Sequence, residues 1–252
     1  INGQVATADV VNVTELFIGG SEINDLTGIE DFESLEVLFV ENNFLTSIDV
    51  SDLQNLTNLD IPFNQISELD VSNNSMLQVL GATGNFLTSL NLENNVNLEA
   101  LFIGVSDGIT VNNTIPFLDL SNNVNLNWFQ AEAVSLETLN LKNGNNTVLT
   151  SVSITDNPNL SCLQVDDAIA ANNGSGPYEN WEVDPQVVFS ENCILGVAET
   201  SIPKIVLFPN PITDNLYINY EGSITQIQIS DILGSIVLSQ NFFNEKLDLS
   251  FL

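Results

Sequence analysis

The chain has 252 residues, 44% of them apolar, and sets 33 acidic residues against three lysines and no arginine, for a formal net charge of −30 at pH 7. That apolar content suffices for a buried core, and the negative charge excludes nucleic acid and anionic membrane surfaces as partners, because both demand cationic counter-charge. Histidine is absent, which removes the commonest general base and the commonest zinc ligand, so no catalysis, cofactor or metal site is expected. The two cysteines, Cys162 and Cys193, are too few for a four-ligand metal site and read as a disulfide. No apolar run reaches 18 residues, so no membrane insertion is expected. Ile1 opens the sequence without a secretory signal, which is expected to have been removed upstream.

In chain order, a loose repeat begins near Val10 with VTELFI from Val13 and INDLTG from Ile23. A strict one follows: Leu35, Leu56, Leu77 and Leu98 open LEVLFV, LTNLDI, LQVLGA and LEALFI at steps of 21 residues. Nested between them, Leu45, Ile66 and Leu87 open LTSIDV, ISELDV and LTSLNL at the same step. Each half-repeat of 10 or 11 residues holds a short strand and a corner, with no room for a helix. Every coil is therefore expected to give one strand to each of two parallel sheets. The first, fourth and sixth residues of each unit point inward, and stacking closes a core that no coil could form alone. Asn43, Asn64 and Asn85 mark the corners after the first series, Asn74 and Asn95 those after the second, where their side chains satisfy turn backbone. Leu53 stands where the second series would have its first asparagine.

An insertion of about seven residues around Gly104 to Thr114 is expected to protrude as a loop before IPFLDL at Ile115 and LNWFQA at Leu126. LETLNL, LTSVSI and LSCLQV follow at Leu136, Leu149 and Leu160. Beyond Leu126 the spacing leaves open which sheet receives each.

These units resemble the 21-residue bacterial leucine-rich repeats with nested half-repeats found in secreted proteins of the Bacteroidetes, over Val10 to Val165. The resemblance implies an all-β solenoid over 1–165. CLQVDD from Cys162, Trp181 and FSENC ending at Cys193 are similar to the family's end cap, which implies a Cys162–Cys193 disulfide and a cap and linker over 166–200.

From Ile202 the period gives way to short alternating strands, KIVLF, LYINY, ITQIQIS and SIVLS, expected to form a small β-sandwich. LFPNPITDNLYI followed by ISDILGSIVL resembles the C-terminal sorting domain of type IX secretion, placed here at 201–252, with Phe208, Pro209, Asn210 and Pro211 as its motif. The resemblance implies the type IX secretion machinery as a partner and a secreted or outer-membrane-surface location in a Gram-negative bacterium. The family continues for another strand or two beyond LDLSFL, so the domain reads as truncated.

The outward third and fifth residues form columns. On the first sheet these include Phe17, Val37, Phe39, Val79, Phe102 and Trp128, an apolar and aromatic stripe expected to bind a protein or glycan at the cell surface. On the second they include Asp49, Glu68, Asp70, Phe117 and Asp119, a wet acidic face. The expected function is non-catalytic binding. An accessory subunit of an outer-membrane complex is the alternative. An ice-binding surface is suggested by the Thr-Ser pairs at 46 and 47, 88 and 89, and 150 and 151, but Glu68 and Phe117 interrupt that column. Paired acids such as Asp49 and Asp70 stand in an open ladder, with no pocket to raise one pKa for hydrolysis.

Overall fold

The computed structural model describes residues 6–105 and 113–193, and in the C-terminal part the strands at 206–208, 215–219, 226–230, 236–241 and 246–248. The chain divides into two units, Ile1–Cys193 and Ile194–Leu252.

The first unit opens with the four-residue helix Thr7–Val10. Its strands are three residues long: β1 Glu15–Phe17, β2 Val37–Phe39, β3 Asn58–Asp60, β4 Val79–Gly81, β5 Ala100–Phe102, β6 Phe117–Asp119, β7 Trp128–Gln130, β8 Thr138–Asn140, β9 Ser151–Ser153, β10 Cys162–Gln164 and β11 Val188–Ser190. They form a seven-stranded sheet ordered β1-β2-β3-β4-β5-β7-β9 and a four-stranded sheet ordered β11-β10-β8-β6, both parallel. The 21-residue step appears directly as register, with Leu38 opposite Leu59 and Leu59 opposite Leu80. The open assignments beyond Leu126 resolve as strict alternation. LETLNL supplies β8 to the four-stranded sheet, LTSVSI β9 to the seven-stranded one, and LSCLQV β10 to the four-stranded one.

The second-series segments at 45–50, 66–71 and 87–92 follow the coil path without forming strands. Each makes one backbone hydrogen bond to the next coil, from Gln65 to Leu45, from Phe86 to Ile66 and from Thr114 to Leu87. The amides of Leu45, Ile66 and Leu87 go instead to asparagine side chains. One backbone bond per coil is too few for a ladder. No helix forms among the described residues between Phe32 and Asp167.

The inward positions are sealed. Leu35, Leu38 and Val40, and their counterparts Leu56, Leu59 and Ile61, are all 0% exposed, and Phe129 of β7 is the largest fully buried side chain. Burial at that level stabilises by about 1.5–3 kcal/mol per large apolar side chain. The corner asparagines stitch one coil to the next. Asn64 donates to the carbonyls of Val40, 3.0 Å away in the preceding coil, and of Ile61, 3.1 Å away in its own, while its Oδ1 accepts from the amide of Leu45 at 3.1 Å. Asn43, Asn85 and Asn157 repeat the pattern.

The far end is closed by a cap. Asp167 accepts from the amide of Ala170 to start the helix Ala168–Asn172. Behind it Tyr178 and Trp181 are buried edge to face, their centroids 4.7 Å apart, and the Trp181 indole donates to the carbonyl of Leu149 at 3.0 Å. Cys162 of β10 is disulfide-bonded to Cys193, with Cα atoms 5.9 Å apart.

In the second unit β12 (Val206–Phe208), β13 (Asn215–Asn219) and β16 (Lys246–Asp248) form an antiparallel three-stranded sheet, and β14 (Gln226–Ser230) pairs antiparallel with β15 (Ile236–Asn241). Of the sorting motif, Phe208 ends β12, while Pro209, Asn210 and Pro211 lie outside the described residues. So do residues 106–112, on which the expectation of a protruding loop falls.

Candidate binding face

In a parallel sheet with consecutive coils in register, outward residues at one repeat position line up across the strands. Column one of the seven-stranded sheet reads Glu15, Val37, Asn58, Val79, Ala100, Trp128, Ser151; column two reads Phe17, Phe39, Asp60, Gly81, Phe102, Gln130, Ser153. All six stripe residues therefore share one outward face, in two groups. Phe17 and Phe39 meet edge to face at 5.1 Å, with Val37 beside them. Phe102 and Trp128 meet edge to face at 5.2 Å, and Val79 stands one strand away from Ala100 and Phe102 on β5. Phe17 and Trp128 are 59% and 50% exposed; Val37, Phe39, Val79 and Phe102 are partly buried.

Asp60 and Gly81 separate the groups. The Asp60 carboxyl leans over Gly81, occupying the space that a Cβ there would need. Glu41, two residues beyond β2, covers Gly19 in the same way, and its Oε2 is buried without a hydrogen-bond partner. Partial burial, reinforced by the like charge of Glu41, pushes the Asp60 pKa up to about 6. At the β9 end Glu132 accepts from the Ser153 hydroxyl and from Gln130 at 3.1 Å. Glu41 and Glu132 both lie past the strand triplets, outside the six-residue unit, and a reading confined to that unit passes over them. The visible signal was Gly81, a strand glycine, which marks the close approach of another group.

The acidic column of the second series is occupied with turn formation. Asp49 Oδ1 accepts from the amide of Ser51 at 3.0 Å and Asp70 from that of Ser72 at 2.9 Å, and these bonds hold both carboxyls below the ordinary aspartate range. Asn91, Asp119 and Asn140 repeat the contact. The Thr-Ser pairs do not share a face: Ser151 lies in β9 of the seven-stranded sheet, whereas Ser47 and Ser89 belong to the second series. Among the described residues no cluster of three or more Asp, Glu, Cys or His is placed to hold a metal ion, and no helix is long and apolar enough to cross a membrane.

Residues 206–252 match the family model of the secretion system C-terminal sorting domain. No curated protein matches the chain. Among solved structures it is similar to an internalin, InlF, of Listeria monocytogenes, at 23% identity over 74% of this chain and 64% of that one, with a TM-score of 0.47. A leucine-rich-repeat protein of Leptospira interrogans is 21% identical over 71% of this chain and 44% of its own, with a TM-score of 0.47. The functional domain of a second Listeria internalin, InlJ, is 19% identical over 71% and 55%, with a TM-score of 0.32. The chain thus spans less than two-thirds of the length of each. With its 21-residue register, its two parallel sheets and its disulfide-bonded end, the chain is a leucine-rich-repeat solenoid that carries, at residues 206–252, the C-terminal sorting domain of a secretion system.

Proposed function

We propose that the protein is exported by type IX secretion to the surface of a Gram-negative cell or its surroundings, and that it works there without catalysis, binding a protein partner through the outward face of the seven-stranded sheet. The sorting domain supports the export. The observation that carries the binding reading is the pair of edge-to-face aromatic contacts, Phe17–Phe39 and Phe102–Trp128, left open on a rigid in-register sheet. Exposed apolar groups rimmed by polar ones mark contact surfaces, and solenoids present them over many coils. Large aromatic anchors dominate such interfaces.

The test is affinity capture from outer-membrane extract of the source cells by the full chain and by its Phe39→Ala/Phe102→Ala/Trp128→Ala variant. A stoichiometric protein retained by the first and lost by the second is the expected result, with both forms equally folded by circular dichroism. Equal retention by the two forms would sink the assignment of the face. A glycan array bound only by the unaltered chain would transfer the same face to a sugar.

A further inference from the structure

The gap between the two aromatic groups carries the chemistry that the aromatics lack. Asp60 stands in β3 one strand from Phe39 and two from Phe102, with bare Gly81 between. Its carboxyl lies over Gly81, and Glu41 approaches from the β2 side with one oxygen buried and unpartnered. Nothing in the solenoid answers this charge: between residues 6 and 193 the sequence holds one cationic side chain, Lys142, and it pairs with Glu191 at 3.5 Å. A buried carboxylate oxygen without a donor is costly, and an incoming cation relieves it.

We propose that Asp60 and Glu41 receive a lysine or arginine side chain from the protein partner, carried on an extended segment whose flanking apolar side chains rest on the Phe17–Phe39 and Phe102–Trp128 pairs. This rests on the reading of the sheet as the binding face. The dimensions agree. Three strand spacings separate Phe39 from Phe102, about 14 Å, and side chains at positions i and i+4 of an extended segment stand about 13 Å apart on one face. The side chain at i+2 then falls over the gap. Gly81 leaves room for it, because a Cβ there would displace the Asp60 carboxyl.

The arrangement also makes the contact pH-sensitive. Glu41 faces Asp60 from the β2 side, Asn58 is its outward neighbour in β3, and Val79, Leu80 and Gly81 of β4 bring no ionisable group. Asp60 is charged at pH 7.5, and as the pH falls through about 6 it takes up a proton and its hold on the cation weakens.

The probe is a fluorescein-labelled heptapeptide with leucine, lysine and leucine at alternate positions separated by serine, set beside a twin in which norleucine replaces lysine. Binding to the full chain is read by anisotropy at physiological ionic strength. The lysine peptide is expected to bind about fivefold more tightly than its twin at pH 7.5. That advantage disappears at pH 5 and in Asp60→Asn/Glu41→Gln, and survives in Asp49→Asn/Asp70→Asn, which removes the same charge from the second series. Equal binding of the two peptides overturns the proposal, as does an equal loss in both acid variants, which would reveal attraction to the net charge alone. In either case a twin that still needs Phe39, Phe102 and Trp128 leaves the face itself standing. If neither peptide binds at millimolar concentration, or both bind the three-alanine variant undiminished, face and cation site fall together.

Discussion

Asp60 titrates near pH 6 because partial burial disfavours its charge and Glu41 adds repulsion. Its folded pKa lies above the ordinary value of 3.8, so the folded chain holds this proton more tightly than the unfolded one. The resulting stability is fully present below about pH 4 and is lost as pH rises through 6. Asp60→Asn is therefore expected to stabilise the solenoid at pH 7.5 by about 1 kcal/mol, a value reduced for solvent screening of a carboxyl that water still reaches. At pH 3.5 the gain should vanish. Urea denaturation at the two pH values checks this, and a gain of equal size at both would assign it to packing rather than charge. The aromatic residues of the face were legible in the sequence, since Phe17, Phe39, Phe102 and Trp128 sit at the outward positions of an obvious unit. The acid pair was not. Its two members lie 19 positions apart in neighbouring coils, and Glu41 lies outside the unit that sets the register.

Within the coils, the two asparagine columns do different work. Asn64 uses both ends of its amide, whereas Asn74 donates to the carbonyls of Val50 and Leu53 while its Oδ1 is buried with no partner; Asn95 and Asn123 share that deficit. Asn64→Ala leaves the Leu45 amide and two carbonyls unsatisfied and is expected to destabilise by about 3 kcal/mol. Asn74→Ala also removes a buried oxygen that gains nothing, so its cost should be lower by about 1 kcal/mol. Thermal or urea unfolding of the two variants ranks them, and the reverse order would contradict the hydrogen-bond assignment. The columns were readable because each asparagine recurs at the coil period. Strand formation was harder to read: the second series has the same pattern of inward residues in coils with and without a strand, and what separates them is how many backbone bonds each segment finds in the next coil. The alternation beyond Leu126 was hidden by uneven register steps, as between Leu139 and Leu163, that follow from longer corners.

At the scale of the whole solenoid, stability passes from coil to coil, and the ends decide how far fraying runs. The Cys162–Cys193 bond ties β10 to the last described residue of the cap across a separation of 31 residues. Cys162→Ala/Cys193→Ala is expected to lower stability by about 3–4 kcal/mol. Hydrogen exchange should quicken first in β9, β10 and β11 and leave β2 to β4 protected; uniform quickening would mean that the coils unfold as one body. The three lysines have a consequence of a different kind. A protease that must recognise a basic residue finds a single site between residues 6 and 193, Lys142, and this side chain is held by the carbonyl of Glu191 at 3.2 Å as well as by its carboxylate. The remaining two, Lys204 and Lys246, both lie beyond Cys193. Digestion by such an enzyme is therefore directed toward the C-terminal unit, and the solenoid, almost empty of cleavage sites, is the part left to persist.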